Sequence, residues 1–256
     1  MAIKELNSTE YINEDSDDSN DVEMSFLDHL EELRWRLIYS IIGVVIGGII
    51  SWIFVDFLVV DVLLKPAKDN GLLLQNLKPF GQLFLYFQVA LVGGIIISLP
   101  NLFYQLWKFI SPALRKKERK YILLIVFYST ISFFIGIAFA YFVMIPLAFK
   151  FIRQFGTELI KNEFAIDEYV SIIVSVILAA GVVFELPMIS FFLTKMGIVT
   201  PAFMKKYRKH AIVIIMVLAA FLTPGTDPVS QVVLAVPLVL LYEISIFISK
   251  IAIKKH

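Results

Sequence analysis

Apolar runs bounded by charge recur six times along this chain, and no other feature restricts its folding as much. An α-helix rises 1.5 Å per residue, so about 20 apolar residues are needed to cross a hydrocarbon core roughly 30 Å thick. Residues 37–60, 83–106, 121–147, 169–194 and 229–249 all reach that length, whereas residues 211–222 fall short of it. Lipid offers no water to satisfy backbone amides, so such runs must be helical. The expected fold is therefore all-α: a polytopic membrane protein with six transmembrane helices, the two C-terminal spans being short. With 59% hydrophobic and only 18% charged residues, the 256-residue chain is too apolar for an ordinary soluble domain.

Orientation follows from the basic residues, because short loops rich in Lys and Arg stay cytoplasmic. Sixteen fall on one side: Arg34 and Arg36, six over residues 108–120, five over residues 195–209, and Lys250, Lys254 and Lys255 at the end. Six fall on the other side, from Lys65 to Lys161. Both termini are predicted inside. Residues 1–23 hold eight acids against Lys4 alone, the composition of a disordered cytoplasmic tail, so residues 1–24 are set apart from a membrane domain over residues 25–250. The sequon Asn7-Ser8-Thr9 lies in that tail and is expected to carry nothing. Residues 251–256 form a short basic tail. Ser25 with Asp28 resembles a capping box, and Phe26, Leu30, Leu33 and Leu37 repeat on one helical face. An interfacial helix over about residues 25–36 should lead directly into the first span. No cleavable signal peptide is expected, since the first long run starts only at Leu37 and no small-residue cleavage site follows it.

Composition also removes function classes. A net charge of +1 argues against a nucleic-acid partner, and the absence of cysteine removes thiol catalysis and Cys-ligated metals. His29, His210 and His256 are scattered, so neither a metal nor another cofactor is expected. No GxSxG elbow occurs and His210 has no neighbouring Ser or Asp, so an intramembrane hydrolase is not expected, nor any enzyme. What remains are ionisable groups inside the apolar runs, which cost about 2.5–3.5 kcal/mol at mid-membrane and usually face protein or water. Glu185 is the leading case, in the middle of the fourth run and beside Pro187, which should kink the helix. Its role is either a partner contact in a polar depression or a protonated carboxyl bonded to a neighbouring helix. Glu243 lies nearer the end of the last run, within reach of Lys250, and Asp56 lies near the outer interface; both read as mainly structural. The twelve residues of the fifth run rise about 18 Å, which predicts a locally thinned membrane with Lys205, Lys206, Arg208 and Lys209 snorkelling at its inner end. Gly43 and Gly47 form a GxxxG, common in helix packing.

Two cytoplasmic carboxylates stand among basic residues: Glu32, ahead of Arg34 and Arg36, and Glu118 within Lys116-Lys117-Glu118-Arg119-Lys120. Singly, each reads as a solvated charge, and Glu32 with Arg36 as an ordinary i, i+4 pair. Together with their flanks they resemble the TatC family, the integral subunit of the twin-arginine protein translocase. The resemblance is carried by Ser25-Phe26-Leu27-Asp28-His29-Leu30-Glu31-Glu32-Leu33-Arg34-Trp35-Arg36 and by residues 104–114 leading to Glu118-Arg119. Residues 138–142, Pro146 to Phe149, Phe184-Glu185-Leu186-Pro187, and Leu222-Thr223-Pro224 before Asp227 continue it in order. It implies a concave six-span receptor in the cytoplasmic membrane of a prokaryote. Such a receptor binds twin-arginine signal peptides and, with single-span TatA-like and TatB-like partners, exports folded proteins on the proton motive force, without a nucleotide. The positions of Glu32 and Glu118 are those of the signal-peptide site, with Arg34, Arg36 and Phe109 at or near it. Glu185 falls on the intramembrane face that contacts partners, and Pro66 and Asp227 are outer-loop functional positions. A homo-oligomer within the complex is also expected.

The chemistry agrees, because a guanidinium presents a planar fork to a carboxylate and stays charged at any biological pH, which lysine matches poorly. The competing reading is a proton-coupled secondary transporter using Glu185 and Glu243. Against it, the first three apolar runs do not correspond to the last three.

Overall fold

The computed structural model of the protein describes residues 26–113, 119, 122–153, 163–222 and 228–254. Among these residues, five helical stretches are long and apolar enough to cross a membrane: Leu27–Ile53, Gly81–Ile110, Ile122–Lys150, Ile166–Lys195 and Leu234–Ala252. The all-α, multi-span architecture expected from the apolar runs is what the chain adopts. The N-terminal segment does not break before the first span, since α1 runs unbroken over Phe26–Ile53. Leu30, Leu33 and Leu37 stay exposed on it, a face turned to something other than this protein.

The first apolar run is interrupted earlier than its hydropathy suggests. After α1 the chain bends at Phe54, forms the single turn α2 (Val55–Phe57) and a π-helical turn over Leu58–Leu63, and then enters α3 (Lys65–Asp69). Pro66 starts α3 without loss, because the first amides of a helix have no intrahelical acceptor. A short strand β1 (Leu73–Gln75) leads to α4 (Gly81–Ile110), which returns the chain to its starting end. The rising α5 (Ile122–Phe139) passes through a π-helical turn over Ala140–Met144 into α6 (Ile145–Arg153). Strand β2 (Glu163–Ala165) pairs in parallel with β1, Leu74 opposite Phe164, a small ladder that no alternation in the sequence announced.

The fourth span is two helices, α7 (Ile166–Phe184) and α8 (Leu186–Lys195), joined at Glu185. Pro187 has no amide to donate to Val183, so the ladder fails there as its position predicted. This span is half buried inside the protein, the first only 11%, so α7 is central and α1 peripheral. A short α9 (Pro201–Lys206) precedes α10 (Arg208–Leu222) and α11 (Pro228–Lys254). At 15 residues α10 starts three residues before the apolar run and rises about 22 Å, still short of a full crossing. A seam of hydroxyls joins α8 to α11: Thr194 and Ser249 share a hydrogen bond at 2.6 Å, and the buried Ser190 and Ser245 lie one turn away.

Close approach of α1 and α4 depends on glycine. A Cβ on Gly47 would lie 2.5 Å from Gly94 O, and one on Gly94 2.6 Å from Gly48 N. Ser98 Oγ donates to Gly43 O at 2.6 Å across the same seam. The GxxxG therefore marks a real contact, whose partner glycine the motif does not identify. Gly136 and Gly181 bring α5 against α7 in the same way, and Ser132 Oγ donates to the end-of-helix carbonyl of Phe184 at 2.6 Å.

The end of the bundle opposite the N-terminus is tied by tyrosines. The Tyr169 hydroxyl, 1% exposed, donates to Leu63 O at 2.8 Å and accepts from Ala67 N at 3.0 Å, bridging the turn that carries Pro66. Its ring stacks on Phe149 with centroids 5.2 Å apart, and the Tyr141 hydroxyl donates to Val62 O at 2.7 Å. Tyr169→Phe leaves both backbone groups unpaired in a buried place, so it is expected to cost about 1–3 kcal/mol. Thermal unfolding in a single detergent checks this, and an unchanged midpoint overturns it. Outside the spans, Lys78 bonds with Asp167, and this bond together with the aspartate's charge raises the lysine above its ordinary range. A raised lysine contributes while it is protonated, so the link holds at neutral pH and is lost in strongly alkaline solution, as it is in acid once Asp167 is protonated.

Candidate functional site

Antiparallel packing brings the start of α1, the ends of α4, α8 and α11 and the start of α10 to one end of the bundle. Arg36 meets Gln105, Trp107 meets Phe192 edge-on with centroids 4.7 Å apart, and Arg208 meets Glu243. Among the described residues, most of the lysines and arginines fall at this end, as their positions in the sequence predicted.

Glu32 is the focus of this end. Its i, i+4 spacing to Arg36 on α1 gives an ion pair of 2.9 Å from Arg36 Nη2 to Glu32 Oε1, with both side chains 19% exposed. Arg36 Nε approaches the same oxygen at 3.3 Å, and Nη1 donates to Gln105 Oε1 at 3.3 Å, so α4 holds the guanidinium in place. Gln105 Nε2 donates in turn to Asn101 Oδ1 at 3.3 Å, and Asn101 Nδ2 to Tyr39 O at 3.1 Å. The chain of bonds thus fixes one carboxylate oxygen. The other, Oε2, is buried and has no hydrogen-bond partner among the described residues. A buried acceptor without a donor costs free energy until a donor reaches it. One turn away the rings of His29 and Phe109 stack with centroids 4.4 Å apart, and Arg34 stands exposed on the same helix.

The structure thus gathers Glu32 and Arg36, with Phe109 one turn away against His29, while Arg34, two residues from each member of the pair, projects from another face of α1. Glu118 and Asp227 lie outside the described residues. Pro66 is buried at the far end, beside the turn that Tyr169 bridges. Gln105 and Asn101 were missed as site residues; their signal was two polar amides four residues apart in an apolar run.

Glu185 lies deep in the bundle, 6% exposed, where α7 breaks into α8. Its Oε1 is buried without a partner among the described residues, and so is the hydroxyl of Ser129, one turn from the Ser132 that bonds to Phe184. Glu243 does not reach for Lys250: Arg208 Nε lies 2.8 Å from its Oε1 and Nη2 donates to its Oε2 at 2.8 Å, a two-pronged pair between α10 and α11. Asp56 accepts from the Tyr86 hydroxyl at 2.9 Å, in keeping with a structural role. No group of three or more His, Asp or Glu able to hold a metal occurs among the described residues.

Comparison with known proteins gives one consistent result. The family described as Sec-independent protein translocase protein (TatC) matches residues 28–237. A Sec-independent protein translocase protein TatC from Aquifex aeolicus is 39% identical over 236 residues, covering 91% of this chain and 97% of the relative. One from Carboxydothermus hydrogenoformans is 37% identical over 230 residues, covering 90% and 94%. A crystal structure described as the twin-arginine translocase receptor TatC superposes with a TM-score of 0.77 at 38% identity, covering 88% of this chain and 99% of that one.

Proposed function

Because this chain belongs to the TatC family of Sec-independent protein translocase proteins, multi-pass membrane proteins of the twin-arginine translocase, we propose that its basic end receives twin-arginine signal peptides. The observation that carries this reading is the half-used carboxylate of Glu32, with Oε1 held by Arg36 and Oε2 buried and unpartnered. A guanidinium arriving at Oε2 supplies the missing donor. Arg36, held by Gln105, keeps the site charge-compensated before the ligand comes. Glu118 takes the second arginine, and the His29–Phe109 stack and Arg34 line the approach.

In this reading the protein is a non-enzymatic receptor of six spans, α10 being the short fifth, in a concave bundle in the cytoplasmic membrane of a prokaryote. Both termini are cytoplasmic, since the basic end faces inward. Residues 1–24 and 251–256 are tails on a membrane domain over residues 25–250. TatA-like and TatB-like single-span proteins, and further copies of the chain, complete a complex that exports folded proteins on the proton motive force. Pro66 and Asp227 act at its outer face. The transporter alternative loses its second proton carrier, because Arg208 already engages Glu243.

The direct test compares an Arg-Arg signal peptide with its Lys-Lys counterpart on the protein in nanodiscs. Selective binding of the Arg-Arg form is expected; equal binding of the two removes the reading. The partner-facing role of Glu185 is tested separately. Glu185→Ala is expected to leave peptide affinity unchanged and to reduce co-purification of the single-span partner several-fold, and undiminished co-purification overturns that role.

A further inference from the structure

The connection between α8 and α10 presents apolar and basic side chains side by side, outside any span. Gly197, at φ +75°, ends α8, with its amide bonded to Thr194 O at 3.0 Å and that of Ile198 to Leu193 O at 3.0 Å. Thr200 then caps α9, accepting from Phe203 N at 3.1 Å. The Tyr242 hydroxyl donates to Met204 O at 2.8 Å, and Arg208 is locked to Glu243, so this segment is fastened to α11. Fastened in this way, it leaves Ile198 63% and Phe203 53% exposed, with Tyr207 exposed beside them. Lys205, Lys206 and Lys209 are all exposed, and among the described residues none forms an ion pair. Lys206 only lies over the Tyr207 ring, 5.7 Å from its centroid.

We propose that residues 196–210 form an anchor for anionic phospholipid, in which Lys205, Lys206 and Lys209 hold the headgroup phosphate while Ile198, Phe203 and Tyr207 enter the acyl boundary. Three observations converge on this occupant. Exposed apolar and aromatic side chains beside lysines are the composition of an element lying in the membrane interface. Among the described residues, the carboxylate seen to pair with this segment, Glu243, is already taken by Arg208. And α10, rising about 22 Å, is shorter than the hydrocarbon core, so lipid headgroups must be drawn toward its basic start. A headgroup bound there turns the mismatch of the short span into a fixed lipid contact. The anchor is independent of the signal-peptide reading and needs only that the chain crosses a membrane.

The test uses the full chain, purified in a zwitterionic detergent, titrated with phosphatidylglycerol or phosphatidylcholine and read by native mass spectrometry. Phosphatidylglycerol is expected to be retained preferentially, and K205Q/K206Q/K209Q to weaken its apparent affinity on the order of 100-fold, from about 1 kcal/mol per basic residue at such a surface. Equal retention of the two lipids by the unaltered protein overturns the proposal whether or not the variant folds. Unchanged phosphatidylglycerol affinity in a folded variant overturns it too, as does displacement of the lipid by millimolar inorganic phosphate, which makes the site one for the free anion. Protection of amides over residues 203–210 from hydrogen exchange by phosphatidylglycerol alone is the expected signature at the site itself.

Discussion

Replacing Glu32 with alanine is expected to weaken binding of a twin-arginine peptide by about 2–5 kcal/mol, and replacing Glu118 as well to abolish it. The size follows from burial. Glu32 is largely shielded, and in the complex its Oε2 and the incoming guanidinium are both desolvated, so truncation strands a charge on the peptide as well as on Arg36. Glu32→Gln separates the two contributions, because it keeps an acceptor oxygen and loses the charge; it is expected to fall between the unaltered protein and the alanine variant. Fluorescence anisotropy of a labelled peptide against the protein in nanodiscs reads all three. Full affinity in both Glu32→Ala and the double variant would falsify the site, since no other buried carboxylate oxygen without a partner stands at this end among the described residues. Raising the salt concentration is expected to weaken binding only modestly, because shielded pairs are screened less than exposed ones.

The second large effect is structural. Gly94→Ala places a methyl group 2.6 Å from Gly48 N and 2.7 Å from Gly48 Cα, distances that real Cβ atoms do not show. Both obstacles are backbone, so no side chain can swing aside, and α1 and α4 must separate. Overpacking of this kind costs about 1–3 kcal/mol, and this site belongs at the upper end. Gly48→Ala is the internal control, since its added methyl meets nothing closer than Ala90 O at 3.9 Å. That variant is expected to be neutral, or stabilising by up to about 1 kcal/mol, because alanine favours a helix over glycine. Thermal unfolding of both variants in one detergent decides the matter; equal midpoints would mean that α1 and α4 are not packed as the structure has them. The same separation would carry Arg36 away from Gln105, so Gly94→Ala is also expected to weaken peptide binding.

Several parts of this arrangement are legible in the sequence. The break at Glu185 was readable because Pro187 lacks the amide that the helix needs, a defect local to the residue itself. The basic end was readable for a similar reason, since each loop's charge is fixed by its own residues. Glu32 and Arg36 were paired correctly because four residues on a helix is one turn. Beyond one turn the reading weakened. Glu243 was matched with Lys250, seven residues on along the same helix, whereas Arg208 on another helix holds it with both prongs of its guanidinium. Asn101 and Gln105 carried a faint signal as polar amides in an apolar run, but nothing in the run pointed to Arg36.

Hydropathy and charge are properties of a residue and its near neighbours in the chain. The sequence by itself therefore determined that this protein is helical, that it crosses a membrane several times, where its positive end lies and to which family it belongs. The tertiary structure alone decided what meets across the bundle: that Gly94 faces Gly48, that the Tyr169 hydroxyl bridges Leu63 and Ala67 about a hundred positions upstream, and that Gln105 fixes Arg36 so that one oxygen of Glu32 remains free. Such contacts depend on how helices distant in sequence rotate and approach one another. That is settled by the small residues and buried hydrogen bonds at each crossing, and hydropathy along a single strand of sequence does not encode it.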